Sequence, residues 1–588
     1  MSIAKEEKPI INCHTHIFKG KHVPPYLART FVFSPLDRLL STPRIIKIAT
    51  WYRDRKNRKY IDPYREREWK KRKRAVWLQR NTFIKTLLYI VGLWFTLHAV
   101  FALLSWLGIN DAMSTVWWKK WVGVAYNWLI NNNVIIPLQT LWQQVIAVAI
   151  VTFFVRSGRK LLWTILTKSV SLLKKIPGKM AKDLIDRYML MGRFAMYKGQ
   201  LGIYNRLKDQ YPSGTKFIVL PMDMEYMGAG PASPEGSYPE QMKELADIKE
   251  DHPDEFLPFV FVEPRRILED SNQLKYKFDS SGKVTLEDCF IKEYIEDKKF
   301  SGFKIYPALG YYAFDEALLP LWKYAADNEI PIMTHCIKGT IFYRGKKKKV
   351  WDTHPIFKEY VRLGGDQKLS DLILSQKKNI DFSLNFTHPL NYLVLLKEEL
   401  LRIHVGQCSD EIKSIFGYTD ANTKLKQDLS HLKICFAHFG GEDQWERYQE
   451  LDRFYYSKML TTEPNHGIEF LYTDTELKKS PDERTISWKK LEDCWKVVDW
   501  YSIICSMLLQ HDNVYADISY ILHNEKIFNL LKETINNPKL GKKVLFGTDF
   551  YVVRNHKAEK NLLAQTKGNL NDEDFNLIAR ENPINYLG

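Results

Sequence analysis

Short apolar runs alternate with helix-period segments through most of this chain. Ile10–His16, Lys216–Leu220, Phe256–Val262, Phe303–Tyr306, Ile330–His335, Lys433–His438, Asn513–Ile518 and Lys543–Thr548 read as buried strands. Helical patterns such as Ala317–Asn328 and Leu491–Gln510 lie between them. Alternating strands and helices imply a parallel α/β sheet, and eight strands are what a closed (β/α)8 TIM barrel requires. Lys338–Ser430 and Gly440–Lys490 are too long for simple crossovers, so they are expected to add helices over the barrel mouth.

Two stretches break the pattern. Thr86–Asn110 and Trp121–Val155 contain no Asp, Glu, Lys or Arg, and a helix needs about 20 apolar residues to cross the hydrocarbon. They predict a transmembrane hairpin inserted after the first strand, with Trp117, Trp118, Trp121, Tyr126 and Trp128 as an interfacial belt. The second stretch is most apolar over Val134–Val155; Gln139, Gln143 and Gln144 weaken it as a span, and Pro137 is tolerable only near its beginning. A pair of buried soluble helices is the plainer alternative. The expected divisions are residues 1–20 for the first strand, 21–80 for a basic juxtamembrane insert and 81–156 for the hairpin. An interfacial helix and linker (157–184) and the rest of the barrel (185–588) follow.

Charge gives the insert an orientation. The formal net charge is +17, and Arg53–Arg80 alone holds 13 Lys/Arg against 4 Asp/Glu. Arg156, Arg159, Lys160, Lys168, Lys174 and Lys175 follow the second stretch, whereas the intervening loop holds only Asp111, Lys119 and Lys120. The positive-inside rule then puts both flanks, and the soluble remainder with them, on the cytoplasmic side. Lys160–Ile176 mixes lysine with Leu, Ile, Val and Trp at helical spacing and is expected to lie flat on anionic headgroups. Lipid is thus the expected partner of these basic runs, and nucleic acid is not. Seven scattered cysteines without a CxxC pair, behind a polar N-terminus, fit a reducing compartment.

Metal-binding residue types stand at the ends of the strand-like runs: His14 and His16, Lys304, His335, His438 and Asp549. A ring of parallel strands would bring all six to one mouth. His-x-His on a strand puts two imidazoles on one face. His335 and Asp549 would complete an N/O donor set suited to zinc or another divalent transition metal, as one or two ions. Asp549 could take a proton from water activated by the ion, and His438 could polarise a substrate carbonyl or hold a second ion. His-x-His alone is weak, since such pairs arise by chance; the ordered set of six is specific. Lys304 could instead pair with an acidic neighbour. His354 and His388 read as helix-entry or lid residues, and Asp517 as either an orienting or a structural group. Glu263-Pro264-Arg265-Arg266 could bind a substrate carboxylate, though a helix start with solvated arginines is preferred. Tyr306, Tyr311 and Tyr312 follow the fourth strand, where loops line a barrel mouth. Lys346–Lys349 would favour an anionic small-molecule substrate if that insert covers the site; a solvated loop is the simpler reading.

These motifs resemble the amidohydrolase superfamily of metal-dependent TIM barrels, in the branch holding amidohydrolases and related decarboxylases. The likeness rests on His-x-His, Gly-Phe-Lys-Ile-Tyr-Pro, Thr-His, Ala-His-Phe-Gly-Gly, Val-Tyr-Ala-Asp and Leu-Phe-Gly-Thr-Asp, covering roughly residues 8–18 and 185–588. The hairpin, the basic collar and the insert after strand five have no counterpart in that pattern. The resemblance implies that His14, His16, His335 and Asp549 ligate one ion, with Asp549 also shuttling protons. It implies a second ion or substrate polarisation at His438, and a metal-bridging carboxylated lysine at Lys304 if the site is binuclear. The expected protein is a membrane-anchored cytoplasmic hydrolase in which metal-activated water attacks an amide, ester or lactone carbon. Non-oxidative decarboxylation on the same fold, and a membrane-tethered ligand sensor or scaffold, are the alternatives.

Overall fold

The structure is a computed structural model. It describes residues 8–27, 29, 38, 41–48, 64–109, 113–154, 160, 190, 194, 197, 199–339, 341–363, 366–376, 378–450 and 455–588. The chain divides into two compact units, one of Met1–Thr50 with Asp183–Gly588 and one of Trp51–Lys182.

In the first unit the eight apolar runs are eight parallel strands: β1 (Ile11–Thr15), β2 (Lys216–Val219), β3 (Phe256–Pro258 and Val260–Phe261), β4 (Phe303–Ile305), β5 (Ile332–His335), β6 (Ile434–Ala437), β7 (Val514–Asp517) and β8 (Val544–Leu545). Each pairs in parallel with the next. The ring closes between β1 and the segment after β8. There Cys13 N–H donates to Phe546 O (2.9 Å), Asp549 N–H donates to His14 O (2.9 Å), and Thr15 bridges Phe550 in parallel. The β3 strand breaks at Phe259, whose side chain turns into the ring; its first half pairs with β2 and its second with β4.

The floor of the ring is one buried cluster that includes Ile11, Cys13, Ile218, Phe259, Met333, Cys435, Tyr515 and Leu545. Tyr586, from the last helix (Asn582–Leu587), seals it from below. Because Cys13 faces this floor, strict alternation would turn His14 outward. The β1–β2 register shifts between Asn12 and Thr15, and such a bulge re-aims side chains beside a site.

One of the two long segments and one helical pattern differ from expectation, whereas Gly440–Lys490 carries helices as expected. Lys338–Ser430 carries an antiparallel hairpin, Thr353–Leu363 against Asp366–Ile373, ahead of its helices. The apolar–polar alternation on either side of Gly364-Gly365 is the signal for it. Leu491–Gln510 is two helices, Trp488–Val497 and Trp500–Gln510. The second starts where the Asp499 carboxylate accepts Ser502 N–H (2.7 Å).

The second unit contains helices Tyr64–Arg80, Thr82–Trp106, Trp117–Asn131 and Leu141–Phe154. Among the described residues one helix, Thr82–Trp106, is long and apolar enough to cross a membrane. A second helix of that length is not shown: the described residues of Trp121–Val155 lie in two shorter helices, Trp117–Asn131 and Leu141–Phe154, and the stretch between them. The run Asn131-Asn132-Asn133, with Asn133 at φ 56°, ends one helix, and Pro137 lies in the connecting stretch. Backbone polar groups of that stretch find partners on side chains. Ile136 N–H donates to His98 Nε2 (2.9 Å), Trp94 Nε1–H donates to Val134 O (2.9 Å), and Gln144 Nε2–H donates to Leu138 O (3.0 Å). All but Lys160 of the interfacial helix expected at Lys160–Ile176, and the N-terminal part of the basic run, lie outside the described residues.

Candidate metal centre

The site sits at the carboxyl ends of the strands, where βα-loops gather functional groups in closed parallel rings. His14 Nε2 and His16 Nε2 are 3.2 Å apart. Asp549 Oδ1 lies 3.3 Å from His16 Nε2 and 3.8 Å from His14 Nε2. An ion about 2.1 Å from each of several tetrahedral donors holds those donors roughly 3.4 Å apart, so the three atoms are spaced as ligands of one ion.

The opposite nitrogens explain why these donors face inward. His16 Nδ1–H donates to Leu220 O (2.8 Å), and His14 Nδ1–H donates to Asp517 Oδ2 (2.9 Å). Each Nε2 therefore carries a lone pair. Two such lone pairs and a carboxylate oxygen within 4 Å repel one another unless a cation lies among them. The donor set thus fits a divalent ion.

Asp517 orients this cluster. One oxygen holds His14, while Oδ1 accepts His438 N–H (3.0 Å), Ser519 N–H (3.0 Å) and the Ser519 hydroxyl. A carboxylate that fixes the tautomer and aim of a ligating histidine is the usual outer support of a metal site. His14, His438 and Asp517 also form a second group of close donors. Every contact Asp517 makes is with a hydrogen-bond donor, so orientation is the role its geometry defines.

His438 Nδ1–H donates to Ser519 Oγ (2.9 Å), which leaves Nε2 as an acceptor 3.2 Å from His335 Nδ1. In this tautomer His438 cannot donate to a developing oxyanion. His335 stands in neither three-donor group. Its Nδ1 faces His438, its ring stacks on Tyr306 (centroids 3.8 Å apart), and its Nε2 has no hydrogen-bond partner. The Lys304 amine is fully buried and likewise unpartnered. Three of the expected donors thus meet at one point, with His438, His335 and Lys304 around them.

Electrostatics keep the His14, His335 and His438 imidazoles neutral, as ligation requires. Burial, then the Lys304 ammonium, holds His14 well below the usual imidazole range. Burial and His438 do the same for His335, and burial, then His14, pushes His438 down to about 3. Burial lowers Lys304 to about 8 against the opposing pull of Asp517 and Asp549.

The backbone is bent to achieve this. His438 (φ 65°), Phe439 (φ 43°), Tyr520 (φ 63°) and Asp549 (φ 62°) all adopt positive φ at the mouth of the ring, and such residues persist where the surroundings impose them. Gly547 permits the close approach of the chain to β1, since a Cβ there would meet His14 Cβ at 2.9 Å.

The remaining candidates are engaged elsewhere. Arg265 forks onto Glu263 (2.6 and 2.8 Å), and Arg266 bonds Asp223 (2.6 Å) and Glu225 (2.7 Å). They are paired and largely buried, in place of the solvated helix start expected. The His354 and His388 Nδ1 atoms accept backbone N–H groups at local turns. Lys347 donates to Gln376 O, and Lys348 lies over the Trp351 ring. Ser519, Asn12 and Thr548 were not singled out by sequence. Their roles depend on residues as far as 547 positions away, which no local motif marks.

No family model matches the sequence, and no curated protein matches it. Among solved structures, the chain is similar to a 2,6-dihydroxybenzoate decarboxylase from Rhizobium, at 13% identity and a TM-score of 0.35 over 71% of this chain and 94% of that one. It is also similar to a 5-carboxyvanillate decarboxylase from Novosphingobium aromaticivorans with bound manganese, at 12% identity and a TM-score of 0.35 over 74% and 93%. A third is an amidohydrolase from Mycobacterium avium subsp. paratuberculosis, at 13% identity and a TM-score of 0.28 over 67% and 75%.

Proposed function

We propose that this protein is a metal-dependent enzyme of the amidohydrolase type, built on a (β/α)8 barrel, that hydrolyses an amide, ester or lactone. One observation carries the reading: His14 Nε2, His16 Nε2 and Asp549 Oδ1 face one another with their lone pairs, while the far nitrogens of both histidines are held by the protein. A bound divalent ion, zinc in the first instance, supplies a Lewis acid and a water of lowered pKa.

The chain's own groups do the rest. Asp517 and Leu220 O aim the two imidazoles. The Asp549 carboxylate takes the proton of the attacking water and returns it to the leaving group. The Lys304 amine, buried and unpartnered in the same chamber, is the donor available to a developing oxyanion; only if carboxylated would it become a metal ligand instead. His438 and His335 form a paired wall whose free acceptor capacity suits a second ion.

The test is elemental analysis of purified protein, followed by assay against amide, ester, lactone and carboxylic-acid panels. About one ion or two ions per chain and hydrolysis that is lost in Asp549→Asn are expected. Release of carbon dioxide without a cleaved amide or ester would replace hydrolysis with decarboxylation. Ligand binding with no turnover would leave a sensor.

We further infer that the Trp51–Lys182 unit attaches the enzyme to a membrane with the catalytic unit on the cytoplasmic face. The apolar Thr82–Trp106 helix and the lysine- and arginine-rich flanks support this. Recovery of the full chain from the carbonate-washed membrane fraction is the expected result; recovery in the wash would remove the anchor.

A further inference from the structure

The β1–β8 seam is where all three inner donors originate, and one buried side chain joins its two edges. Asn12 Oδ1 accepts two backbone N–H groups, that of His14 (3.3 Å) and that of Thr548 (3.2 Å), the residue before Asp549. Asn12 can do this only if its amide is turned the right way round. Its Nδ2 donates to Tyr211 OH (2.8 Å), Thr548 Oγ1 (2.8 Å) and Glu559 Oε1 (3.3 Å). The Tyr211 and Thr548 hydroxyls in turn donate to the same Glu559 oxygen, at 2.6 and 2.5 Å.

Glu559 is thus the terminal acceptor of the whole set. It opens the helix Glu559–Asn569 and is 1% exposed, while Asn12 and Thr548 are fully buried. A buried acceptor that orients two hydroxyls and an amide is costly to remove, because each donor is left without its partner. Neither Asn12 nor Glu559 touches the ligand atoms, so any influence on the site passes through backbone position.

We propose that Glu559 is a positioning residue for the metal centre: through Asn12 and Thr548 it sets the spacing between the strand carrying His14 and His16 and the segment carrying Asp549. The proposal rests on the metal-site reading above. Burial raises Glu559 to about 7, opposed by the Thr548 and Tyr211 hydrogen bonds. The carboxyl oxygen accepts all three contacts in either protonation state, so the role is that of an acceptor and not of a charge.

The experiment uses the full-length protein and Zn2+ alone as probe, with affinity read by competition against a chromophoric chelator well below the unfolding temperature. Glu559→Leu removes the acceptor, and Glu559→Gln keeps one in the same place. Loss of outer-shell support typically weakens metal binding 10- to 100-fold, so about that loss is expected for Glu559→Leu, and a change within about threefold for Glu559→Gln. If Glu559→Leu does not fold, Thr548→Val keeps the shape of its site and deletes one link. It is expected to weaken Zn2+ binding by roughly tenfold. Affinity unchanged in the leucine and valine variants, or lost equally with leucine and glutamine, overturns the proposal. A wild-type protein that binds no Zn2+ overturns the metal reading itself, and is recognised before any variant is made.

Discussion

The histidines of the ring and the histidine of the inserted unit are all buried, yet they use their two nitrogens differently. His14 and His16 each have one nitrogen held by the protein and turn the other toward a second lone pair. His98, in the helix Thr82–Trp106, uses both: Nδ1–H donates to Trp94 O (2.8 Å) and Nε2 accepts Ile136 N–H (2.9 Å). A histidine whose two nitrogens both have partners ties backbone together. One left with a lone pair against other lone pairs awaits a cation. Burial alone does not separate the two cases; the account of each nitrogen does.

The contrast can be broken most sharply at the ligands. His14→Ala or Asp549→Asn should abolish stoichiometric metal and lower kcat/KM by about a thousandfold or more, on the order of 4 kcal/mol of barrier, as read by metal analysis and steady-state kinetics. Asp517→Asn keeps the volume but changes what His14 Nδ1 meets. Metal affinity should fall about 10- to 100-fold with the fold retained by circular dichroism, and an unchanged affinity would return Asp517 to a structural role.

Acid gives a third measurement. His14 and His335 lie well below 6.5 in the folded chain and His438 lies at about 3. The unfolded chain therefore binds more protons once pH drops below about 6.5. Stability of the metal-free protein should be complete above that value and decline as pH falls toward 3. Metal should leave in the same window, since protons compete for the same nitrogens. Thermal unfolding and equilibrium dialysis between pH 7 and pH 4 check this; stability that rises on acidification contradicts it.

The smallest effect is expected in the insert. His98→Leu strands the Ile136 N–H at a cost of about 1–3 kcal/mol. Limited proteolysis in detergent should detect the loosening, while kcat/KM and metal content stay at wild-type values.

Much of the ring was legible because parallel strands buried on both faces must be continuous apolar runs. Their ends also carried the six candidate residues. Legibility failed where a residue's partner is remote. The break in β3 falls just after Pro258, but that Phe259 fills the floor there is set by packing that the local sequence does not mark. Asp517 could not be ranked until its contact with His14, 503 residues away, was seen. The Asn12–Glu559 link spans 547 positions. The hairpin Thr353–Ile373 and the interruption after Asn131 were different: alternation around Gly364-Gly365 in one, and three asparagines followed by Pro137 in the other, were local signals outweighed by segment length and hydropathy.

Closure of the ring between β1 and β8 has a consequence for biogenesis. His14 and His16 leave the ribosome before Asp549, with the whole inserted unit made between them. An emerging chain that stops short of Asp549 carries two of the three inner donors and lacks the contacts of Asp549 and Phe550 with β1, so on the reading proposed above its metal site is incomplete. Any commitment of the insert to its surroundings therefore precedes closure of the ring and assembly of the proposed metal site.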